Sequence, residues 1–202
     1  MTNKIITDQL VHYAKRAYNR GLVGGTGGNF SARTGDQRML ITASGLSLGD
    51  TSSDNLIDMD ITSYQWKPNE DYVPSKEYLF HADILRLRSD VDAVLHIHPP
   101  YATAYAVLKR DIPMVTDAAF KQPPTPRVPF APSGTEELQK NVVQAIENHP
   151  DCKVVLLEQH GIICLGSTIR WAYDIADMTE ELARIAWLQE MLCGSSFKPL
   201  RP

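Results

Sequence analysis

The sequence predicts an α/β fold in which helices cover a mixed, mainly antiparallel sheet. Helical and strand patterns alternate along the chain, and several strands are joined by turns too short for the crossovers that parallel strands require. The chain has 202 residues, of which 43% are hydrophobic and 22% charged, as in ordinary soluble globular proteins. We therefore expect one domain, residues 1–202, rather than a repeat protein, a coiled coil or a disordered chain.

Five segments carry the periodic apolar pattern of helices. Ser75 is well placed as the N-cap of one of them, and Ser133 with Glu136 matches a capping box that opens another. Residues 194–202 have the composition of a tail. The helices are predicted at residues 4–20, 77–88, 101–109, 136–147 and 171–192.

Short runs of β-prone residues separate these helices. Residues 34–37 have the composition of a hairpin turn, and 111–132 are rich in proline and irregular, with short strands expected near 114–115 and 128–130. The remaining strands are predicted at residues 30–32, 39–42, 93–98, 154–157 and 162–164.

Charge and cysteine content exclude several classes of protein. The net charge of −4 and the lack of a basic stripe argue against a nucleic-acid-binding protein. Three cysteines without a CxxC pair indicate neither a disulfide framework nor a thiolate zinc site, and they fit a reducing cytoplasm. No signal-peptide stretch and no run of about 18 apolar residues occurs, so we expect neither export nor a membrane span.

Three histidines stand at the ends of predicted strands. Because side chains two apart in a strand share a face, His96 and His98 are expected to project to one side while Ile97 enters the core. His160 follows another aliphatic strand and precedes a glycine. Catalytic zinc sites typically use three protein ligands, so these residues predict a metal site, although the pair alone also fits hydrogen-bonded histidines on a solvated strand.

Glu77 is a candidate carboxylate for such a site, either as a ligand or as a base beside the metal. The alternative is that Glu77 has no role in such a site and lies in the first turn of its helix because the helix dipole stabilises an acidic residue there. His81 lies four residues later on the same helix face, and we expect it in the core or behind the site.

Three loops have the composition of an anion-binding site. The glycines of 24–29 can present several backbone N–H groups at once, and Ser44 with Gly45 follows a strand. Ser75 and Lys76 combine a helix N-terminus with a cation. Each is more often an ordinary turn or cap, so only their convergence with a metal site favours phosphate binding.

Taken together, the motifs resemble the class II aldolase/adducin family over nearly the whole chain. They occur in the family's order, at 25–29 with Ser31, then at 41–45, 74–77, 96–98 and 159–161. The resemblance implies a three-layer α/β/α fold with a mainly antiparallel central sheet, and a C4 homotetramer with active sites between subunits.

The resemblance also implies the residues of the site. One Zn²⁺ per subunit is expected on His96, His98 and His160, with Glu77 as a further ligand or as the base. The phosphate of a small sugar or sugar-acid substrate is expected to contact Thr26, Gly28, Asn29, Ser44, Gly45 and Ser75, with Lys76 beside them.

Glu77 resembles the aldolase branch rather than the epimerase branch. Two other residues, Lys76 and Asp117, depart from the aldolase pattern and bear on the reaction. Lys76 replaces a serine of that pattern and resembles decarboxylases of 3-oxo-tetronate 4-phosphates. Asp117 falls near a proton-transferring tyrosine of the aldolase, so it is the candidate for a second catalytic group, and Lys121 or Arg127 are candidates for binding a substrate carboxylate.

The function expected from the sequence is that of a zinc-dependent aldolase, which cleaves a C–C bond of a small phosphorylated ketose through a metal-stabilised enediolate. Decarboxylation of a 3-oxo-sugar-acid phosphate is the nearest alternative, and 4-epimerisation of a sugar phosphate comes third. A non-enzymatic, adducin-like assembly protein is the fourth possibility, and the presence of all three histidines and Glu77 argues against it.

Overall fold

The computed structural model describes residues 3–193 of the chain. These residues contain a seven-stranded sheet. Its strands are β1 (Asn29–Gly35), β2 (Arg38–Thr42), β3 (Leu56–Asp60), β4 (Ala93–Ile97), β5 (Arg127–Val128), β6 (Val154–Leu157) and β7 (Gly161–Gly166). The helices are α1 (Asn3–Asn19), α2 (Tyr78–Leu87), α3 (Pro100–Val107), α4 (Asp117–Phe120), α5 (Glu136–Asn148) and α6 (Ile169–Cys193).

The strand order is β3-β2-β1-β4-β7-β6-β5, and only the short β5–β6 pairing is parallel. The predicted mixed, mainly antiparallel sheet is therefore confirmed. In the centre of the sheet, β4 pairs with β1 on one side and with β7 on the other. The ends of these strands consequently lie side by side.

Two separate hydrophobic cores cover the two faces of the sheet. On β4, Ala93, Leu95 and Ile97 pack with α1, α3 and α6, whereas Val94 packs with α2 and α5. This alternation follows from the two-residue period of a strand. It gives the three layers that were predicted, and it turns His96 towards the α2 side.

The strand β3 is absent from the sequence-based prediction, which assigned no element to that stretch. Its acidic residues Asp58 and Asp60 are poor strand formers, which hides the strand. The guanidinium of Arg38 on the paired strand lies 2.6 Å from the carboxylate of Asp58 and compensates for that residue. The strand expected at 114–115 is wrong, because the nearest element is the short helix α4.

Both predicted N-caps are also wrong. The helix α2 begins only at Tyr78, so Glu77, rather than Ser75, occupies its N-cap position, and Ser75 lies in the turn that precedes the helix. At α5, Thr135 lies directly before the helix and accepts from the N–H of Leu138, so no capping box forms with Ser133. The predicted tail, 194–202, lies outside the described residues.

The C-terminal end of α2 is fixed by a side chain from the sheet. The Arg33 guanidinium on β1 donates to the backbone carbonyl groups of Leu85 and Val91, the latter at 3.2 Å, and pairs with Asp92 at 3.1 Å. A cation at a helix C-terminus also interacts favourably with the helix dipole. Arg33 therefore holds the helix whose opposite end carries Glu77.

None of the helices described between residues 3 and 193 combines the length and the apolar character that a membrane span needs.

Replacing Arg33 should destabilise the fold. We expect Arg33→Met to lower the free energy of unfolding by about 2 kcal/mol, because it leaves carbonyl groups at the end of α2 without their charged donor. Urea denaturation would measure this. Arg170→Met is the matched control: its ion pair with Asp174 is largely exposed, so its loss should cost less than about 0.5 kcal/mol. Equal losses in the two variants would contradict this role.

Candidate metal centre

Three histidine rings meet where β4 and β6 end and β7 begins. His96 is the penultimate residue of β4, His98 follows that strand, and His160 lies in the tight turn between β6 and β7. One ring nitrogen from each residue lies within 4.8 Å of the other two. The Nε2 atoms of His96 and His98 are 3.1 Å apart. The structure thus brings together the three residues that the sequence singled out.

The local backbone makes room for this arrangement. The turn after β6 is closed by the N–H of His160 on the carbonyl of Leu157, and Gln159 takes a left-handed φ of 58° within it. A Cβ atom on Gly161 would lie 2.6 Å from Cδ2 of His98, and one on Gly27 would lie 2.8 Å from its Nδ1. Both positions therefore need glycine so that the His98 ring can fit between them.

The hydrogen bond of His96 defines which nitrogen faces the cluster. Its Nδ1 lies 2.9 Å from the carbonyl oxygen of Ile162, which can only accept, so Nδ1 carries the proton. In the neutral ring, Nε2 then directs a lone pair towards the other histidines. A ligand histidine held by a backbone carbonyl through its second nitrogen is typical of zinc sites. Three imidazoles with an adjoining carboxylate fit a divalent cation such as Zn²⁺.

Glu77 lies between two of the histidines, and its side chain is only 5% exposed. Its Oε2 is 3.3 Å from Nε2 of His96, and its Oε1 is 3.4 Å from Nε2 of His160. The amide nitrogen of Asn29 donates to Oε2 at 2.8 Å, and the hydroxyl of Ser133 donates to Oε1 at 2.9 Å.

These contacts keep Glu77 ionised. Burial alone would raise the pKa of its carboxyl group, but His96, the Asn29 amide and His160 together lower that pKa to about 2. The group is therefore a carboxylate at any physiological pH. It can accept a proton or bind a cation.

The rings of His98 and His160 are held in the neutral state. Burial, with the adjacent His96 adding to it, lowers the pKa of His98 to about 3 and that of His160 to about 4. A metal ion needs the unprotonated ring nitrogen. Both residues consequently offer free lone pairs at neutral pH.

The loops predicted to bind phosphate lie next to one another. Thr26 and Gly45 line the same surface cleft, and the N–H of Ser75 donates to the carbonyl of Thr42, which joins the third loop to the second. Gly28 has a φ of 75° and lies against the backbone of His96. Ser44 is partly buried and Lys76 is exposed. Phosphate contacts by these residues remain a prediction.

Asn29 has a second set of contacts that its predicted phosphate role does not account for. Besides donating to Glu77, its side chain accepts from Nε2 of His81 at 2.5 Å. His81 in turn contacts Ser31, and both are fully buried. The expectation that His81 lies in the core, behind the site, agrees with this placement.

Asp117 is not brought to the histidines by the fold of its own chain. It begins the exposed helix α4, its side chain is 83% exposed, and it pairs with Lys121 at 2.5 Å. Arg127 is likewise engaged elsewhere, by Asp111 at 2.9 Å and by Glu158. Proton transfer by Asp117 therefore stays a prediction.

Sequence reasoning missed Ser133 as a site residue. It was interpreted as a helix cap, yet its hydroxyl reaches Glu77 across 56 positions of sequence. The next residue, Gly134, has a φ of 77° and lies against the backbone of Lys76, so this loop packs directly on the start of α2. No spacing in the sequence indicates such a contact.

The buried neutral histidines predict a stability loss in acid. Unfolded histidines take up protons below about pH 6.5, whereas folded His98 and His160 stay neutral well below that, so protons favour the unfolded chain. In the metal-free protein, the free energy of unfolding should fall as the pH is lowered from 6.5 to 5. His98→Asn should flatten this dependence by up to about 1.4 kcal/mol per pH unit.

Urea denaturation at several pH values provides the measurement. His149→Asn is the control, because His149 is exposed at the end of α5, and it should keep the wild-type dependence. A His98→Asn protein with an unchanged dependence on pH would count against a buried neutral ring at that position.

Comparison with known proteins agrees with this geometry. The model of the family described as class II aldolase and adducin N-terminal domain matches residues 8–187. The chain is 38% identical to a 5-methylthioribulose-1-phosphate/5-deoxyribulose-1-phosphate aldolase of Rhodospirillum rubrum, over 88% of this chain and 78% of that protein. It is 30% identical to an L-fuculose phosphate aldolase of Methanococcus maripaludis, over 91% and 97% of the two chains.

A solved structure supports the same relationship. A chain described as L-fuculose 1-phosphate aldolase superposes with a TM-score of 0.87 at 29% identity, over all of this chain and 92% of the other. The family match covers most of the residues and includes all three histidines and Glu77. The protein therefore belongs to the class II aldolase and adducin family.

Proposed function

We propose that the chain is a zinc-dependent lyase that cleaves a C–C bond of a small ketose phosphate, with the 1-phosphate as the first candidate. The observation that carries the proposal is the meeting of three imidazole nitrogens within 4.8 Å beside the ionised Glu77. An adducin-like assembly protein has no need of such a group. The relative from Rhodospirillum rubrum and the solved structure named above are described as aldolases of sugar 1-phosphates, which supports this substrate class.

His96, His98 and His160 would hold the metal through the ring nitrogens that face one another. When bound there, a divalent cation supplies Lewis acidity to the substrate's carbonyl oxygen. Glu77 would carry the proton at the carbon next to that carbonyl. Its burial and its two hydrogen bonds hold the carboxylate in one orientation, as a positioned base requires.

The neighbouring loops would bind the phosphate. Thr26, Ser44 and Ser75 would supply hydroxyls, Gly28 and Gly45 would supply backbone N–H groups, and Lys76 would add a positive charge. Binding energy from this remote group would orient the bond to be broken.

The position of Asp117 suits a site shared between subunits. Its carboxylate is too exposed to belong to a closed site within its own chain, yet it is accessible to a second copy. In the proposed C4 homotetramer, Asp117 of one subunit would carry the second proton transfer in a neighbour. We further propose that the enzyme works in the cytoplasm.

A decarboxylase is the second candidate. Lys76 favours it, because this exposed cation lies directly before Glu77 and can bind a substrate carboxylate as well as a phosphate. Cleavage of a 3-oxo-sugar-acid phosphate would then release carbon dioxide instead of an aldehyde.

Metal removal tests the proposed centre. The purified protein should contain about one zinc per chain, and chelation should abolish activity until zinc is restored. His96→Ala should lose the metal and lower kcat by more than about 100-fold, whereas His149→Ala, an exposed histidine away from the site, should keep both. Full activity of a demonstrably metal-free protein would reject the proposal.

The products distinguish aldolase from decarboxylase. The protein should release dihydroxyacetone phosphate from 5-deoxyribulose 1-phosphate or fuculose 1-phosphate, and no carbon dioxide from a 3-oxo-tetronate 4-phosphate. Coupled assays for the two products would measure this. Lys76→Ser serves as the matched variant: it should retain cleavage of ketose 1-phosphates if the aldolase assignment holds. Carbon dioxide release that depends on Lys76 would instead assign the decarboxylase.

A further inference from the structure

A continuous chain of hydrogen bonds runs behind Glu77. Ser31 Oγ lies 2.7 Å from Nδ1 of His81, Nε2 of His81 lies 2.5 Å from Oδ1 of Asn29, and Nδ2 of Asn29 lies 2.8 Å from Oε2 of Glu77. Ser31 and His81 have no exposed surface, and Asn29 is only 4% exposed. Ser31 and His81 are therefore shielded from solvent, and the bond between Asn29 and Glu77 is nearly so.

The Glu77 carboxylate, at the end of this chain of hydrogen bonds, determines which group is the donor in each bond. The Glu77 carboxylate can only accept, so the Asn29 amide must turn its NH₂ group towards it and its carbonyl oxygen towards His81. That oxygen is an acceptor, so Nε2 of His81 must carry the proton. Nδ1 of the neutral ring is then an acceptor, and the Ser31 hydroxyl donates to it.

His81 is held as a neutral ring. Its two polar partners, Asn29 and Ser31, are uncharged, and its ring stacks on Phe80 with the ring centres 4.8 Å apart. Burial, together with the nearby His96, lowers the pKa of His81 to about 3. A single tautomer of the neutral ring satisfies both neighbours at once.

We propose that Ser31, His81 and Asn29 form a positioning chain that orients the Glu77 carboxylate for proton transfer. All three donors point the same way, towards Oε2, so each bond polarises the next one. His81 is thus a positioning residue and not a ligand or a base. The catalytic consequence rests on the proposed function, whereas the tautomer of His81 does not.

The tautomer can be observed directly in the full-length, zinc-loaded protein. With ¹⁵N-labelled histidine, NMR should show that His81 carries a proton on Nε2 and none on Nδ1 throughout the neutral range. His81→Gln assigns the signal by removing it. A proton on Nδ1, or on both nitrogens, would overturn the proposal, and this measurement does not depend on any enzymatic activity.

Kinetics test the effect on Glu77. His81→Phe keeps the stacking on Phe80 but deprives Asn29 of its donor, so kcat should fall by about 10–100-fold while KM, set by the phosphate loops, changes little. His81→Gln can still donate to Asn29 and should recover most of the loss. Ser31→Ala, one bond further away, should have a smaller effect than His81→Phe. His149→Gln is the exposed control.

The outcomes separate the two proposals. Correct tautomer and the expected kcat pattern support the positioning chain. A wild-type kcat in a folded His81→Phe protein, or equal losses in His81→Phe and His81→Gln, would reject it. If no substrate is turned over by the wild-type protein, the proposed function fails, and the NMR result still decides the arrangement of the chain.

Discussion

The fold depends on the burial of one carboxylate. An ionised group that is 5% exposed is costly unless charges and hydrogen-bond donors surround it. Glu77 accepts hydrogen bonds from Asn29 of β1 and from Ser133 of the loop before α5. The rings of His96, from β4, and His160, from the β6–β7 turn, lie within 3.4 Å of its two oxygens. The tertiary structure around α2 is therefore tied to this one residue.

The register of the sheet makes that convergence possible. Asn29 pairs directly with His96 across β1 and β4, and the same His96 pairs with Ile163 of β7. Because both pairings are antiparallel, the start of β1, the end of β4 and the start of β7 lie side by side at the same end of the sheet, as measured along the strands. Gly27 and Gly161 then allow the backbone to approach the ring of His98 closely, and Gly28 lies against the backbone of His96.

The sequence predicts the features that depend on residues close to one another along the chain. The strand β6 was predicted with its observed bounds, and the alternation of His96, Ile97 and His98 gave the correct faces. The contacts of Asn29, His81 and Ser133 with one another or with Glu77 join positions about 50 residues apart, so no periodicity reports them. β3 could not be predicted because its acidic residues are unusual in a strand, and only the structure shows that Arg38 lies beside Asp58 and compensates for its charge.

The electrostatics of the centre link its stability to its chemistry. Burial lowers the pKa of His98 and His160, which costs stability in acid but leaves their nitrogens free for a metal. The same burial leaves the negative charge of Glu77 facing three rings of which at least these two are neutral. A bound divalent cation would supply the missing positive charge, so its binding should stabilise the folded chain. The three histidines are thus part of the structural core around Glu77 as well as the proposed metal site.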